Sequence, residues 1–165
     1  MSKLKGITVD TPDGKFHIII DDKQIARASG YGSLKGLVNR LPEEFRGITI
    51  SAAKNHPYQQ YVLDYYRGDH TALNKIPRDQ TGSKFQKSVW GSISRIPYGK
   101  TISYKQLAEA SGNPAAIRAA GTICGLNRLI LLIPCHRVLK SDGGIGNYLY
   151  SAKTKESLLQ HEGAL

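Results

Sequence analysis

The sequence predicts an α+β protein in two parts, a strand-rich first half and a helical second half. Three observations support this. Residues 6–29 alternate between apolar and polar side chains, residues 85–96 place apolar side chains at helical spacing, and two helix-start signals follow residue 102. A length of 165 residues suits one ordinary domain or two small ones.

The elements of the first half begin with an antiparallel meander whose strands are separated by turn residues. Tyrosines recur at spacings of three and four in the last helix and predict packing rather than base stacking. The predicted elements are strands at residues 6–10, 15–21 and 24–29, a short helix at 34–41, a strand at 47–52 and a helix at 57–66 that begins at Pro57.

The boundary between the two parts is predicted near residue 78, because residues 68–83 are polar and rich in turn residues. We expect an N-terminal domain over residues 1–78, with a linker from about residue 68, and a C-terminal domain over residues 79–165. The formal net charge is +10, and the second half carries most of it. This excess favours nucleic acid as a partner, although a basic surface without a partner is an equal alternative.

The chain has two cysteines, Cys124 and Cys135, which are too few for a disulfide scaffold or a zinc finger. The first residues contain no apolar signal core, and the apolar run at 129–134 is too short to span a bilayer. We therefore expect a reducing, cytoplasmic compartment, no membrane partner and no bound metal.

A helix-turn-helix is predicted in the first part of the second half. Ser103 and Gln106 form a capping box at the start of one helix, and Gly112 ends it. Asn113 and Pro114 are expected to cap and start the next helix. Two short helices joined by a tight turn form a helix-turn-helix. The pattern is only moderately specific for DNA binding, because many other helix pairs share it.

The second of these helices has two unlike faces. A face of small residues allows the helix to approach a nucleic-acid groove closely, while an arginine on that face reaches further into the groove. The alternative is that this face packs on a neighbouring helix and that the arginine forms a surface ion pair. The face expected to point outward consists of Ala115, Arg118, Ala119 and Thr122. The face expected to be buried consists of Ala116, Ile117, Ala120, Ile123 and Cys124.

A cysteine beside a histidine and an arginine follows the apolar run. Positive charge and a neighbouring base lower the pKa of a thiol and populate the thiolate, which is the nucleophile. We therefore expect a nucleophilic thiolate at Cys135. The alternative is that Cys135 is an unreactive cysteine buried in the core. In an extended chain His136 points away from Cys135, so it would act through a turn or a water. Glu162 is a candidate to orient the histidine, and a solvated charge at a helix end is the alternative.

These motifs closely resemble the O6-alkylguanine-DNA alkyltransferase family. The resemblance covers residues 85–163, whereas the first half resembles the family only in its order of strands and helices. The motifs that carry it are Val89-Trp90, Ile96-Pro97-Tyr98-Gly99, Ser103-Tyr104, Asn113-Pro114 through Arg118, Asn127, Pro134-Cys135-His136-Arg137-Val138, Gly146-Asn147-Tyr148 and the run from Lys155 to Gly163.

The resemblance implies that the protein repairs DNA as a methylated-DNA–protein-cysteine methyltransferase. Each molecule would react only once. The protein would bind the minor groove of duplex DNA, flip the alkylated guanine out and move its O6-alkyl group irreversibly to Cys135. O4-alkylthymine is a further candidate substrate. The implied architecture is an RNase H-like N-terminal domain and a winged helix-turn-helix C-terminal domain. We expect a monomer without cofactor or obligate protein partner, associated with the nucleoid or, in a eukaryote, the nucleus.

The resemblance also implies a role for each site residue. Cys135 would be the acceptor, activated through water by His136 and Glu162, Tyr104 would donate a proton to the guanine, and Asn127 would be a hinge. The DNA-binding residues would be Arg118, which fills the vacated stack, with Tyr104, Lys105, Asn113, Ala119, Thr122 and Ser141. The pocket would be lined by Val138, Tyr148, Leu149 and Lys155.

Two alternatives explain part of the pattern. The first is a helix-turn-helix regulator or a lesion-binding protein that transfers no alkyl group, and it would give Cys135 no role. The second is a cysteine hydrolase, and it would give the DNA-docking features no role. The run Leu149-Tyr150-Ser151 stands where the family has small residues, which predicts poorer acceptance of bulky alkyl groups. Cys124 is expected to be a structural thiol rather than a second acceptor.

Overall fold

The computed structural model describes residues 3–165, which form two compact units. The first unit holds the residues up to 80 together with residues 128–132, and the second holds residues 81–127 and 133–165. Both units contain helices and strands, so the predicted α+β class is confirmed.

The sheet of the first unit has four strands in the order β3-β2-β1-β4. Strands β1 (Leu4–Thr11), β2 (Gly14–Ile20) and β3 (Ala26–Tyr31) are antiparallel, as expected. Strand β4 (Ile50–Ala52) pairs with β1 in parallel, so the sheet is mixed. The long connection from β3 to β4 allows this, because a parallel neighbour needs a crossover rather than a tight turn.

Two helices accompany this sheet, α1 (Leu34–Val38) and α2 (Pro57–Tyr66). Helix α2 starts at Pro57 as predicted, and it buries Tyr58 and Tyr65, which fits the predicted packing role of its tyrosines. The helices and strands supply a core of apolar side chains. One buried cluster consists of Leu4, Ile19, Ala28, Leu37 and Leu41.

The segment that we expected to be a linker is packed into the first unit. It contains a 3₁₀ helix, Ala72–Lys75, and the neighbouring Ile76 is buried. The guanidinium of Arg78 donates hydrogen bonds to the carbonyls of Leu73, Ile76 and Leu132. Apolar residues within a polar stretch give no periodicity, so the sequence pattern missed them.

Residues 128–132 also belong to the first unit, although they lie far from it in sequence. The backbone N–H of Ser29 donates to the carbonyl of Arg128 at 2.9 Å, and the Ser29 hydroxyl donates to the carbonyl of Ile130 at 2.7 Å. The segment therefore continues the hydrogen bonding of β3, and its apolar side chains are buried.

The second unit is mainly helical. Within residues 3–165 no helix combines the length and apolarity needed to cross a membrane. The elements are α3 (Lys84–Ser94), β5 (Ile102–Ser103), α4 (Tyr104–Ala110), α5 (Ile117–Gly125), β6 (Val138–Leu139) and α6 (Ala152–His161), with β5 and β6 paired in parallel.

The helix pair α4 and α5 begins as predicted and then differs. Ser103 and Gln106 form the capping box, and Gly112 follows α4 with a φ of +91°. The prediction that Asn113 caps the next helix was wrong, since α5 starts only at residue 117. The N–H of Ala116 donates to the carbonyl of Asn113 at 3.0 Å, so Pro114 takes the second position of a turn, which proline also favours.

Candidate active site

A short 3₁₀ helix, Cys135–Arg137, holds the predicted nucleophile directly after the buried apolar segment. The N–H of Cys135 donates to the carbonyl of Ile133 at 2.8 Å, and that of Arg137 donates to the carbonyl of Pro134 at 3.0 Å. Successive residues of such a helix diverge by about 120°. The expectation of an extended chain at His136 was therefore wrong, because turn hydrogen bonds replace the strand pattern.

His136, Arg137 and Glu162 form a buried network. The Nε2 atom of His136 lies 2.9 Å from Oε2 of Glu162. Arg137 donates from Nε to Oε1 at 2.8 Å and from Nη2 to Oε2 at 2.9 Å, and its Nη1 donates to the carbonyl of Ile96 at 2.8 Å. Glu162 is thus a fully buried carboxylate at the end of α6 rather than a solvated charge.

The protonation states of this network follow from its contacts. Burial alone would raise the pKa of Glu162, but hydrogen bonds from His136 and Arg137 outweigh burial and hold that pKa well below its ordinary value. Burial lowers the pKa of His136 despite its bond to the carboxylate. A neutral imidazole that donates from Nε2 leaves Nδ1 as an acceptor, and this buried atom makes no hydrogen bond within the described residues.

Three groups of the second unit act on the sulfur of Cys135. The neighbouring Cys124 thiol, whose Sγ donates to the Cys135 carbonyl at 3.8 Å, lowers the pKa of Cys135 most, and burial opposes this. The Asn127 amide and the Lys155 ammonium lower the pKa further, to about 7. A substantial fraction of Cys135 is therefore thiolate near neutral pH.

Asn127 links the end of α5 to the segment that precedes Cys135. Its side chain is fully buried, and its Nδ2 donates to the carbonyl of Ile133 at 2.9 Å. Its backbone N–H donates to the carbonyl of Cys124 at 3.3 Å. These contacts fix the chain on both sides of residues 128–132.

Lys155 and Tyr104 lie close together. The Nζ of Lys155 donates to the carbonyl of Val138 at 2.7 Å and to that of Asn147 at 3.3 Å, and it lies 5.9 Å from the centre of the Tyr104 ring. Burial raises the pKa of Tyr104 to about 12, so its hydroxyl stays protonated and can donate. A Cβ at Gly146, whose φ is +76°, would come within 3.4 Å of that hydroxyl, so a glycine keeps this loop close to it.

Arg118, Ala119 and Thr122 of α5 are exposed as predicted, and so is Ala115, which precedes the helix. The Thr122 hydroxyl donates to the carbonyl of Arg118 at 3.1 Å. Ile117 was expected to be buried but is 40% exposed, because it is the first residue of the helix and no earlier helical turn covers it. The face therefore combines small side chains, one cation and one exposed aliphatic group.

The remaining predicted site residues lie around these groups. The DNA-binding candidates Lys105, Asn113 and Ser141 are exposed. Tyr148 is half-buried, while Leu149 is 48% exposed in the loop that precedes α6.

Sequence reasoning missed two contacts. Arg137 was expected to act on the thiol, but it binds Glu162 instead, and the Sγ of Cys124 donates to the carbonyl of Cys135 at 3.8 Å. The four-residue spacing from Ala120 to Cys124 marked this thiol as inward-facing, but only the fold brings residue 135 to it. Across residues 3–165, no group of three or more His, Cys, Asp or Glu side chains could hold a metal ion.

Acid should destabilise the protein through Glu162. Its pKa in the folded state is depressed, so the stability that it contributes is fully present above the ordinary carboxyl pKa of about 4.3 and is lost as pH falls below that value. The expected slope from this group is about 1.4 kcal/mol per pH unit. Denaturant unfolding at a series of pH values measures it, and Glu162→Gln should remove this part of the slope. Equal slopes for both proteins would contradict the assignment.

Comparison with protein families gives a match over residues 84–164 to "6-O-methylguanine DNA methyltransferase, DNA binding domain". A methylated-DNA–protein-cysteine methyltransferase of Shigella flexneri is 32% identical over 169 residues, which cover 100% of this chain and 99% of that protein. The bifunctional transcriptional activator/DNA repair enzyme Ada of Escherichia coli is 38% identical over 132 residues, which cover 76% of this chain and 36% of that protein. This chain thus spans about a third of the length of the Ada protein.

The fold is similar to that of solved structures. The crystal structure of Mycobacterium tuberculosis O6-methylguanine methyltransferase has a TM-score of 0.75 and 25% identity, and the match covers 98% of this chain and 93% of that one. The methyltransferase of Pyrococcus kodakaraensis has a TM-score of 0.74 at 22% identity, which supports the fold alone.

Proposed function

The chain belongs to the methylated-DNA–protein-cysteine methyltransferase family, and from this premise we propose that it repairs DNA by transferring the alkyl group of O6-alkylguanine to its own Cys135. The observation that carries the proposal is a thiol with a lowered pKa beside a buried His136 that is hydrogen-bonded to Glu162. This is the arrangement of a nucleophile, a base and an orienting carboxylate.

The proposed reaction is a direct displacement. The Cys135 thiol gives its proton to Nδ1 of His136, directly or through one water, and Glu162 stabilises the imidazolium. The thiolate attacks the alkyl carbon, a C–S bond forms, and the bond from that carbon to guanine O6 breaks with its electron pair on the base. We propose that the Tyr104 hydroxyl, whose raised pKa keeps it protonated, donates a proton to the leaving guanine.

The product limits each molecule to one reaction. A thioether is a poor substrate for hydrolysis, and the proposed chemistry contains no step that cleaves it. We therefore propose a stoichiometric transfer that needs no soluble cofactor. The acceptor must stay reduced, which suits the cytoplasm as the site of action.

Duplex DNA is the proposed partner of the exposed face of α5. Ala119 and Thr122 present little bulk there, so the helix backbone could approach a groove closely, while Arg118 could enter a base stack. Lys105, Asn113 and Ser141 are exposed and could contact phosphates. We propose that a monomer binds the minor groove and reads the flipped base in a pocket lined by Val138, Tyr148, Leu149 and Lys155.

The intact mass of the protein after incubation with a duplex that carries one O6-methylguanine tests this function. We expect a gain of one methyl group per molecule, located on the peptide that contains Cys135, and no gain with the matched unmodified duplex. Binding of the lesion without a gain in mass would overturn the proposal and favour a lesion-binding protein that transfers nothing.

Methyl groups should be transferred faster than benzyl groups. Leu149 and Tyr150 stand at positions where small residues would leave more space for a large substituent. Single-turnover rates with O6-methylguanine and O6-benzylguanine in the same duplex measure the preference, and Leu149→Gly combined with Tyr150→Gly should narrow the difference. A benzyl rate equal to or above the methyl rate in the unaltered protein would contradict this expectation.

A further inference from the structure

Arg137 is a largely buried cation to which the proposed reaction gives no role. Its side chain is 12% exposed, and the carboxylate that it binds, Glu162, is fully buried. Its Nε donates to Oε1 of that carboxylate at 2.8 Å, and its Nη2 donates to Oε2 at 2.9 Å. The Nε2 atom of His136 lies 2.9 Å from the same Oε2. The guanidinium therefore holds both oxygens, one of which it shares with the imidazole.

This pairing fixes the orientation of the carboxylate. A guanidinium that binds both oxygens sets the plane of a carboxylate, whereas one hydrogen bond leaves the group free to turn about its last side-chain bond. With Arg137 in place, Oε2 of Glu162 stays directed at Nε2 of His136. The imidazole then keeps Nε2 as its donor and Nδ1 as its acceptor.

The turn that follows α3 holds Arg137 in place. Its Nη1 donates to the carbonyl of Ile96 at 2.8 Å, and its guanidinium carbon lies 5.7 Å from the centre of the Tyr98 ring. The Tyr98 hydroxyl donates to the carbonyl of His161 at 3.4 Å. The turn therefore contacts both the guanidinium and the end of α6, where Glu162 lies. A cation held in this way is built into the second unit.

The charge of Arg137 also acts on the imidazole. Burial lowers the pKa of His136, Glu162 raises it, and the two cations Arg137 and Lys155 lower it further. Arg137 contacts the carboxylate directly, whereas the ammonium of Lys155 on α6 donates to two backbone carbonyls. Without Arg137, the buried carboxylate would be unpaired and would favour a proton on its neighbour His136, because an unpaired buried charge is costly.

We propose that Arg137 is a positioning residue, whose guanidinium fixes both oxygens of Glu162 and keeps His136 unprotonated, with Nδ1 available as an acceptor. Arg137 acts through the carboxylate and not on the thiol. The relevance of this role to alkyl transfer rests on the proposed function. The protonation of His136 does not, because it can be measured without DNA.

Four variants separate the charge of Arg137 from its hydrogen bonds and from the space that it fills. Arg137→Lys keeps a charge but loses the paired donors. Arg137→Gln keeps a neutral donor, and Arg137→Met keeps only an apolar stem. Arg95→Met removes the same charge from an exposed position of the same unit, where the guanidinium donates to the Ser92 hydroxyl at 3.3 Å.

The readout is the protonation of each ring nitrogen of His136. Nuclear magnetic resonance of protein labelled with ¹⁵N in its histidines, titrated between about pH 5 and pH 9, measures it. The spectrum of His136→Gln assigns the signal. The melting temperature of each variant is measured beside it, because removal of one partner of a buried ion pair destabilises a fold.

In the unaltered protein we expect His136 to be neutral at neutral pH, with its proton on Nε2. In Arg137→Met the imidazole should titrate at higher pH, because the cation that opposes its protonation is gone. Arg137→Gln should show the same shift, and it carries the test if Arg137→Met does not fold. Arg137→Lys should titrate close to the unaltered protein, and Arg95→Met should match it.

Methyl transfer should be slower by about tenfold or more in the two neutral variants and less impaired in Arg137→Lys, since a base that is no longer fixed is misplaced for its proton. An unchanged His136 titration in the neutral variants, an equal shift in Arg95→Met, or full transfer despite a shifted titration would overturn the inference. If the titration shifts as expected while the unaltered protein gains no methyl group from the lesion, Arg137 still controls the protonation of His136 and the proposed repair function fails.

Discussion

The Cys135→Ser variant is expected to take up no methyl group from a duplex with O6-methylguanine, under conditions in which the unaltered protein is converted completely. A serine hydroxyl lacks the lowered pKa that gives Cys135 its thiolate, and its alkoxide is not populated near neutral pH. Methyl transfer should fall by more than about 1,000-fold, which is the largest decrease that a mass measurement can detect relative to a fully labelled protein.

The serine variant should still fold and bind the lesion, because serine is nearly the same size as cysteine and leaves the bonds of Cys124 and Asn127 to the backbone carbonyls in place. Its melting temperature and its affinity for the lesion duplex are the controls. Cys124→Ser is the matched single-thiol variant and should still be labelled. A methyl group found on Cys135→Ser would contradict the assignment of the acceptor and would point to Cys124.

Arg118→Ala should lower transfer from duplex DNA by about 100-fold. Extrusion of a base costs a few kcal/mol, and the exposed guanidinium of Arg118 is the group proposed to offset this cost by filling the vacated stack. The protein should keep its stability, since Arg118 is exposed and its side chain supports no core contact. Single-turnover rates on duplex DNA measure the effect.

Transfer from a single strand with the same lesion distinguishes base flipping from simple loss of charge. A single strand needs no extrusion from a base pair, so Arg118→Ala should be far less impaired on it. Arg67→Ala removes the same charge from an exposed position of the first unit and should change neither rate appreciably. An equal loss on duplex and single strand would contradict the stacking role.

Local signals made several elements predictable. Pro57 and the tyrosine spacing defined α2, and the capping box of Ser103 with Gln106 defined the start of α4, because each signal lies within a few residues of what it specifies. The thiol of Cys135 beside His136 was likewise visible as a contiguous motif. Glu162 was a candidate to orient the histidine, but 26 residues separate the two, so only the fold shows that they meet.

Contacts between distant segments could not be derived from the sequence. The contact of Cys124 with Cys135 depends on how α5 and the 3₁₀ helix meet, and the binding of Glu162 by Arg137 depends on where α6 ends. The turn at Asn113 was misjudged for another reason. Proline suits both the first turn of a helix and the second position of a β-turn, so the dipeptide alone could not decide between them.

Residues 128–132 belong to the first unit, so a cut between residues 80 and 81 does not separate the two units cleanly. A fragment that starts at residue 81 would keep this segment but lose the strand and the serine that hold it. It would uncover four aliphatic side chains, a loss of roughly 6–12 kcal/mol of burial. Those side chains are Leu129, Ile130, Leu131 and Leu132. We expect such a truncated fragment to aggregate, so the reactive half cannot be excised by a single cut.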